Sequence, residues 1–307
     1  MLAFLATPGL TPLSALTPSA ARQVFRDMRG AEGEPVAVRS VADRLVPGSG
    51  GQETPGVPVR IVVPEADELT GVLVWMHGGG WVIGDLDTAE DTQRRLASLA
   101  SCVVVSVDYR LAPEHPAPAG FDDCWAVTTW VASHLDQLGV PGGRIAVGGD
   151  SAGGNLAALV ALRAAAEGGP QLAMQALVYP ATDLTHTAPS IEENGEGYFL
   201  SADTMRWFAD QNLSGGIDPT DPSVSPLHAS AEALVGVAPA LVQVAGYDPL
   251  RDEGRAYGEK LAAAGVPAEI VEYPTMIHGF LAMPTLTPVS DEAAARLAEA
   301  LRSAFSI

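Results

Sequence analysis

The chain has 307 residues, of which 47% are hydrophobic and 18% charged, a composition typical of a folded globular protein and not of a disordered one. This length allows one large domain or two smaller ones, with a substantial core. The 37 acidic and 17 basic residues give a formal net charge of −20, which argues against nucleic acid or an anionic membrane as a partner.

The cysteines and the first residues bear on the cellular compartment. Cys102 and Cys124 are too few for a disulfide framework, and we expect both to be reduced core residues. Residues 1–6 are apolar but lack a basic region and stop at Pro8, which makes a poor signal peptide. No apolar run reaches the length of a membrane span. We therefore expect a cytoplasmic protein without stable membrane insertion.

The chain begins with a helix and two strands. Residues 20–28 predict a helix with Val24, Phe25 and Met28 on one face. Residues 34–46 and 57–64 alternate as antiparallel strands do, with Pro-Gly punctuation between them.

Strands and helices then alternate from residue 71 to residue 180. The run 71–76 is continuously apolar, as in a strand that is buried on both faces. The alternation predicts an α/β fold whose central sheet is mostly parallel and flanked by helices. The further elements expected in this part are helices at 88–100, 121–138 and 155–162 and strands at 102–107, 144–148 and 173–179.

Residues 181–230 interrupt this rhythm. They are rich in Pro, Asp, Ser and Gly and contain an apolar cluster with its own predicted helix, 202–212. So large an insertion is typical of a lid or cap. The α/β pattern then resumes with strands at 241–246 and 268–273 and helices at 250–264 and 291–305.

The segment 149–154, Gly-Asp-Ser-Ala-Gly-Gly, stands between a predicted strand and a predicted helix. G-x-S-x-G in that setting is typical of a nucleophile elbow, a strained turn that lifts a serine hydroxyl above the sheet. Gly149 and Gly153 are then needed because the strand and helix backbones pass too close for a Cβ. The alternative is a small-residue turn in which Ser151 caps a helix.

A reactive serine needs a base, and the base needs a group that orients it. Of the six histidines, His278 lies beyond a late strand and in a loop long enough to reach back to Ser151. Asp248 directly follows the strand before it and is our predicted acid, with Asp252 as the fallback. The alternative role of Asp248 is to cap the next helix, with Pro249 in the first turn.

Three glycines follow His77 at the end of the apolar strand. An H-G-G-G loop of this kind presents backbone amides to the oxyanion of an acyl-transfer intermediate, and the amide of Ala152 adds another donor. A phosphate-binding loop is the alternative, but no G-x-x-x-x-G-K-[ST] or helix-opening G-x-G-x-x-G is present.

Together these motifs resemble the bacterial hormone-sensitive-lipase-like (family IV) carboxylesterases of the α/β-hydrolase superfamily. The resemblance implies N-terminal cap helices at 1–45, a catalytic domain at 46–180 and 231–307, and a helical cap insertion at 181–230. It assigns the oxyanion hole to Gly79, Gly80 and Ala152, with Gly78 shaping the loop. The segments that carry it occur in the family's order: His77 to Trp81, Asp108 to Glu114, Gly149 to Gly154, Asp248 to Gly254 and His278 to Phe280.

The expected reaction is ester hydrolysis. Ser151 attacks the carbonyl, His278 takes its proton, Asp248 holds His278 in the right tautomer, and water then hydrolyses the acyl-enzyme. This chemistry needs no metal or organic cofactor. Because His278 must be neutral to act as a base, we expect activity to fall on acidification. The resemblance implies short- to medium-chain acyl esters as small-molecule substrates, and a tendency to form homodimers.

Apolar side chains of the cap and the late loops could form the wall of an acyl pocket, although such clusters are more often ordinary core. The candidates are Trp81, Tyr179, Phe199, Leu200, Met205, Trp207, Phe208, Ile277, Phe280 and Leu281. A ligand-binding protein of this fold and a specialised amidase or deacetylase stay open as alternatives. The first would usually lack a member of the triad, and the second would use identical machinery.

Overall fold

The computed structural model describes residues 11–29, 34–48 and 56–306. The interpretation of residues 1–6 therefore lies outside the described residues, as do parts of the expected N-terminal cap, whereas the expected first strand, 34–46, is described and is a strand from Ser40. None of the helices within the described ranges is long and apolar enough to cross a membrane.

One sheet of eight strands forms the centre of the described structure, in the order β1-β2-β4-β3-β5-β6-β7-β8. β1 and β2 pair antiparallel, as do β2 and β4, and all the other neighbours pair parallel. The expectation of a mostly parallel sheet with antiparallel strands at its start is confirmed. The strands are β1 (Ser40–Val46), β2 (Val57–Val63), β3 (Gly71–Met76), β4 (Val103–Val107), β5 (Arg144–Asp150), β6 (Leu172–Val178), β7 (Ala240–Tyr247) and β8 (Ala268–Ile277).

Helices cover both faces of the sheet because successive side chains of a strand point to opposite faces. Leu73 and Trp75 of β3 pack with the helices α2 and α8, whereas Val72 and Val74 pack with α3, α4 and α7. The helices are α1 (Pro18–Arg29), α2 (Leu86–Ala100), α3 (Ala119–Ser133), α4 (Ala152–Glu167), α5 (Pro189–Asn194), α6 (Ala202–Asn212), α7 (Arg251–Ala263) and α8 (Val289–Phe305).

Two inner strands of the sheet, β3 and β4, are buried along their whole length. This burial accounts for the continuously apolar sequence of β3 and for β4 being apolar except at Ser106. Cys102, just before β4, and Cys124, in α3, are free and buried, as expected.

Several element boundaries differ from the sequence expectation. The helix expected to reach residue 138 ends at Ser133, where the ring of His134 hydrogen-bonds the Trp130 carbonyl at 2.7 Å. The strand expected to end at 273 continues to Ile277 through Pro274, which is tolerated because β8 lies at the edge of the sheet. The expected cap boundary at residue 45 falls within β1.

The insertion at 181–230 contains α6, as expected, and also the short helix α5, which the sequence did not suggest. A 3₁₀-helix, Pro226–His228, lies at its end. These elements cover the carboxyl ends of the parallel strands, where the predicted site residues lie.

Candidate active site

Ser151 occupies a sharp turn between β5 and α4. Its backbone has φ 57° and ψ −119°, in a region that residues other than glycine rarely adopt. Two glycines make the turn sterically feasible: a Cβ on Gly149 would overlap the backbone of Gly153, and one on Gly153 would overlap the carbonyl of Met76. The serine side chain makes no capping hydrogen bond to α4, so the helix-cap alternative is not the role that it takes.

The side chains of Ser151, His278 and Asp248 are connected by two consecutive hydrogen bonds. Nε2 of His278 is 3.0 Å from Oγ of Ser151, and Nδ1 is 2.8 Å from Oδ2 of Asp248. Since an ionised carboxylate can only accept, Nδ1 carries the proton in this arrangement and Nε2 is left as an acceptor for the serine hydroxyl. Asp248 is 0% exposed and His278 6% exposed, so the contacts are shielded from water.

The loop after β7 presents Asp248 to His278 instead of capping the next helix. α7 begins at Arg251 with Leu250 in the cap position, and Oδ1 of Asp248 accepts from the Leu250 amide at 2.9 Å. The fallback residue Asp252 points elsewhere: its carboxylate accepts from the Ser190 amide at 2.9 Å. The structure therefore brings Asp248 to the histidine and places Asp252 against α5.

The glycine loop after β3 lies beside the nucleophile. The Gly78 amide donates to Oδ1 of Asp150 at 3.0 Å, which fixes the loop to the elbow. Gly79 and Gly80 have φ of 128° and 58°, and no residue in the described ranges accepts a hydrogen bond from their amides. The Asp150 carboxylate at the loop disfavours an anionic ligand, which weighs against the phosphate-loop alternative.

His77 holds the base of this loop. Its ring stacks on Tyr109 with 4.3 Å between ring centroids, and its Nδ1 is 2.8 Å from the Gly78 carbonyl. The Tyr109 hydroxyl donates to the His77 carbonyl at 2.8 Å, and burial raises the pKa of this phenol well above its usual range. His77 thus has a structural place, distinct from that of His278.

A cavity of about 600 Å³ opens above Ser151 and His278. Seven of the predicted pocket residues line it: Trp81, Tyr179, Phe199, Leu200, Met205, Phe208 and Leu281. Gly79, Gly80 and Ala152 line it as well.

Three predicted pocket residues lie outside the lining. Phe280 is fully buried, with its ring 5.7 Å from Tyr179 and 5.0 Å from Tyr273, and therefore supports the wall from behind. Ile277 is buried at the end of β8. Trp207 packs against Phe208 at 5.2 Å between ring centroids. These three residues pack beside or behind the cavity and do not line it.

The N-terminal segment contributes lining residues that the sequence did not assign to the pocket. Leu13, Val24, Phe25 and Met28 face the cavity, and the last three are the face predicted for this helix. Arg22 fixes α1 in place: its guanidinium donates to the carbonyls of Val82 at 2.8 Å and Ala112 at 2.9 Å and forms a two-pronged ion pair with Glu114.

Two carboxyl groups in the lining were also missed. Glu253 of α7 is 2% exposed and accepts from the amides of Thr182 at 2.8 Å and Asp183 at 3.2 Å. Burial raises the pKa of Glu253 well above its ordinary value. Asp183 is 8% exposed and lies beside His186, whose pKa is lowered by burial. Glu253 lies in the segment Asp248 to Gly254, but nothing in the sequence indicates that it faces the cavity, and Asp183 belongs to none of the motifs.

The fold and the grouping of Ser151, His278 and Asp248 define the chain as an α/β hydrolase. The family described as alpha/beta hydrolase fold matches residues 73–282, and the chain belongs to it. The chain is 48% identical over 235 residues to the esterase LipI of Mycobacterium tuberculosis, and the aligned region covers 75% of this chain and 72% of LipI. It is 44% identical over 272 residues to the carboxylic ester hydrolase LipN of the same organism, and the aligned region covers 87% of this chain and 71% of LipN.

Solved structures agree with this assignment. A thermostable esterase from Pseudomonas putida superposes with a TM-score of 0.93 at 36% identity, covering 100% of this chain and 96% of that one. The hyperthermophilic esterase of Pyrobaculum calidifontis superposes with a TM-score of 0.89 at 39% identity, covering 98% of this chain and 96% of that one. The expectation of a hormone-sensitive-lipase-like carboxylesterase of the α/β-hydrolase fold is confirmed.

Proposed function

We propose that the protein hydrolyses short- to medium-chain carboxylic esters, with Ser151 as nucleophile, His278 as base and Asp248 as the acid that orients it. The observation that carries this proposal is the pair of contacts from Ser151 to His278 and from His278 to Asp248, at 3.0 and 2.8 Å. The neutral imidazole first takes the proton of the serine hydroxyl, and the imidazolium that results then gives this proton to the leaving alcohol.

The proposed oxyanion hole consists of the amides of Gly79, Gly80 and Ala152. Support comes from their place in the cavity and from the absence of competing acceptors for the two glycine amides among the described residues. Ala152 is the first residue of α4, where a helix leaves amides unpaired and favours developing negative charge. Donors of this kind stabilise the tetrahedral intermediate more than the substrate.

The proposed acyl preference rests on the cavity. A volume of about 600 Å³ with a mainly apolar lining suits an ester of modest size. A curated relative from Pseudomonas putida, 38% identical over 252 residues, is named an ethyl acetate hydrolase, which fits a short acyl group.

The experiment that tests this function compares hydrolysis of a p-nitrophenyl acyl ester series by the wild type and by Ser151→Ala. We expect turnover to be highest for short acyl chains and to fall by about 10⁴-fold or more in the variant. Activity that survives the substitution would remove Ser151 from the reaction and leave the ligand-binding and amidase alternatives to be examined.

A further inference from the structure

One corner of the cavity is polar, although most of the lining is apolar. Asp183 and Glu253 both line the cavity while being 8% and 2% exposed. Acidic side chains are rarely buried to this extent unless they are paired. The mechanism proposed above uses neither of them.

The carboxylate of Asp183 has an unused oxygen. Its Oδ1 accepts from the Thr185 amide at 3.0 Å and lies 2.9 Å from Nε2 of His228, whereas no described residue donates to Oδ2. Burial opposes ionisation of Asp183, but the hydrogen bonds from Thr185 and His228 outweigh it and lower its pKa. A buried, ionised acceptor therefore faces the cavity.

Among the described residues, the charged-pair partner of Asp183 is His228, whose Nε2 lies 2.9 Å from Oδ1 and leaves Oδ2 for another donor. Burial raises the pKa of Glu253, which favours its neutral acid form, and burial lowers the pKa of His186, which favours its neutral ring. Arg206 of α6 pairs with Asp203 at 2.5 Å. Within residues 11–29, 34–48 and 56–306, no lysine or arginine forms an ion pair with Asp183.

Asp183 lines the same cavity as Ser151 and His278. The Ala181 amide donates to the Ser151 carbonyl at 3.2 Å, and Asp183 follows two residues later. Because consecutive Cα atoms are 3.8 Å apart, the Cα of Asp183 lies within about 8 Å of that of Ala181. A substrate bound in this cavity could therefore place its ester at Ser151 and a cation at Asp183.

We infer that Asp183 forms a subsite for an ammonium group, so that the enzyme favours esters whose alcohol or acyl part carries a protonated amine near the ester bond. This inference rests on the esterase function proposed above. The amine's N–H donates to Oδ2 of Asp183, and the charge is neutralised in a cavity where water screens it poorly.

Isosteric substrate pairs test the subsite. In the alcohol part, 2-(dimethylamino)ethyl butyrate is compared with 3-methylbutyl butyrate; in the acyl part, ethyl 4-(dimethylamino)butanoate is compared with ethyl 5-methylhexanoate. In each pair, a protonated nitrogen replaces a CH group. We expect kcat/KM to favour the amine in at least one pair, and Asp183→Asn to reduce that preference about tenfold, equivalent to about 1.4 kcal/mol.

Asp221→Asn is the matched control. Asp221 is an exposed acid of the same insertion, so its replacement removes the same charge from a surface of net charge −20 without touching the cavity. At about 0.15 M salt, where the Debye length is about 8 Å, this control should keep the wild-type preference. Damage to the fold by Asp183→Asn would lower both members of a pair alike and leave their ratio unchanged.

Calorimetric titration of Ser151→Ala with the same pairs measures substrate binding separately from ester hydrolysis. Tighter binding of the amine, lost in Ser151→Ala/Asp183→Asn, would support the subsite even if the wild type hydrolysed neither ester. Hydrolysis of both members at equal kcat/KM in the wild type, or a preference that Asp183→Asn retains, would overturn the inference while leaving the esterase function intact.

Discussion

Glu253 allows a quantitative test of how the cap segment is held to the catalytic domain. Its carboxyl group accepts from the amides of Thr182 and Asp183, which follow β6 at the edge of the cavity. Glu253→Leu keeps the apolar bulk but leaves two buried amides without an acceptor, at about 1–3 kcal/mol each. We expect this variant to lose about 2–6 kcal/mol of unfolding free energy, the sum for the two amides. Glu253→Gln retains an oxygen that accepts both hydrogen bonds.

The comparison with Glu253→Gln also has a defined pH dependence. Burial raises the pKa of Glu253 well above its ordinary value of 4.5, so the folded chain keeps a proton that the unfolded chain releases. The contribution of Glu253 to the free energy of unfolding is therefore fully present below its pKa in the unfolded chain. It falls by about 1.4 kcal/mol per pH unit as the pH rises from that pKa to the pKa of Glu253 in the folded chain. Glutamine does not titrate, so Glu253→Gln should match the wild type near pH 4.5 and be increasingly more stable above it.

Urea unfolding followed by circular dichroism between pH 4.5 and 7.5 provides the measurement. Glu259→Gln, an exposed substitution on the same helix, is the control and should show no such divergence. A difference between wild type and Glu253→Gln that does not change with pH would refute the reasoning, as would a Glu253→Leu protein as stable as the wild type.

Two further predictions concern catalysis. Asp248→Asn should lower kcat for p-nitrophenyl butyrate by about 10⁴-fold, because the side chain that fixes the tautomer of the imidazole is lost. Asp252 contacts Ser190 instead of the histidine, so Asp252→Asn should change kcat less than about tenfold. Equal losses in the two variants would contradict the assignment of Asp248. Gly80→Ala would overlap the Phe208 ring and should lower kcat by about 10²–10³-fold, more than it changes KM. Gly142→Ala is the control, because Gly142 has a similar φ of 67° but no atom lies within 4 Å of the position of an added Cβ. A comparable loss of kcat in this control would show that backbone strain alone explains the effect.

The sheet and the grouping of Ser151 with His278 and Asp248 could be predicted because their signals are local. The continuously apolar run of β3 reflects burial on both faces, and the glycines around Ser151 reflect the close passage of strand and helix. Parallel strands end at one edge of the sheet, so residues after β5, β7 and β8 could be placed together before any coordinates were known.

Contacts that join distant segments could not be predicted in the same way. Glu253 reaches Thr182 across 71 positions, and Arg22 reaches Glu114 across 92, with no local pattern to connect either pair. Adjacent residues can also take opposite roles. Leu281 faces the cavity while Phe280, in the same 3₁₀ turn, packs behind Tyr179, and apolar character alone does not distinguish the two.

Reaction with a fluorophosphonate ester tests the central claim most directly, because this reagent forms a stable covalent bond with an activated serine nucleophile. We expect one adduct per chain in the intact mass, located by peptide mapping on Ser151. We also expect no adduct in Ser151→Ala and much slower labelling in Asp248→Asn. An adduct on another residue, or labelling that persists in Ser151→Ala, would contradict the assignment of Ser151 as the nucleophile.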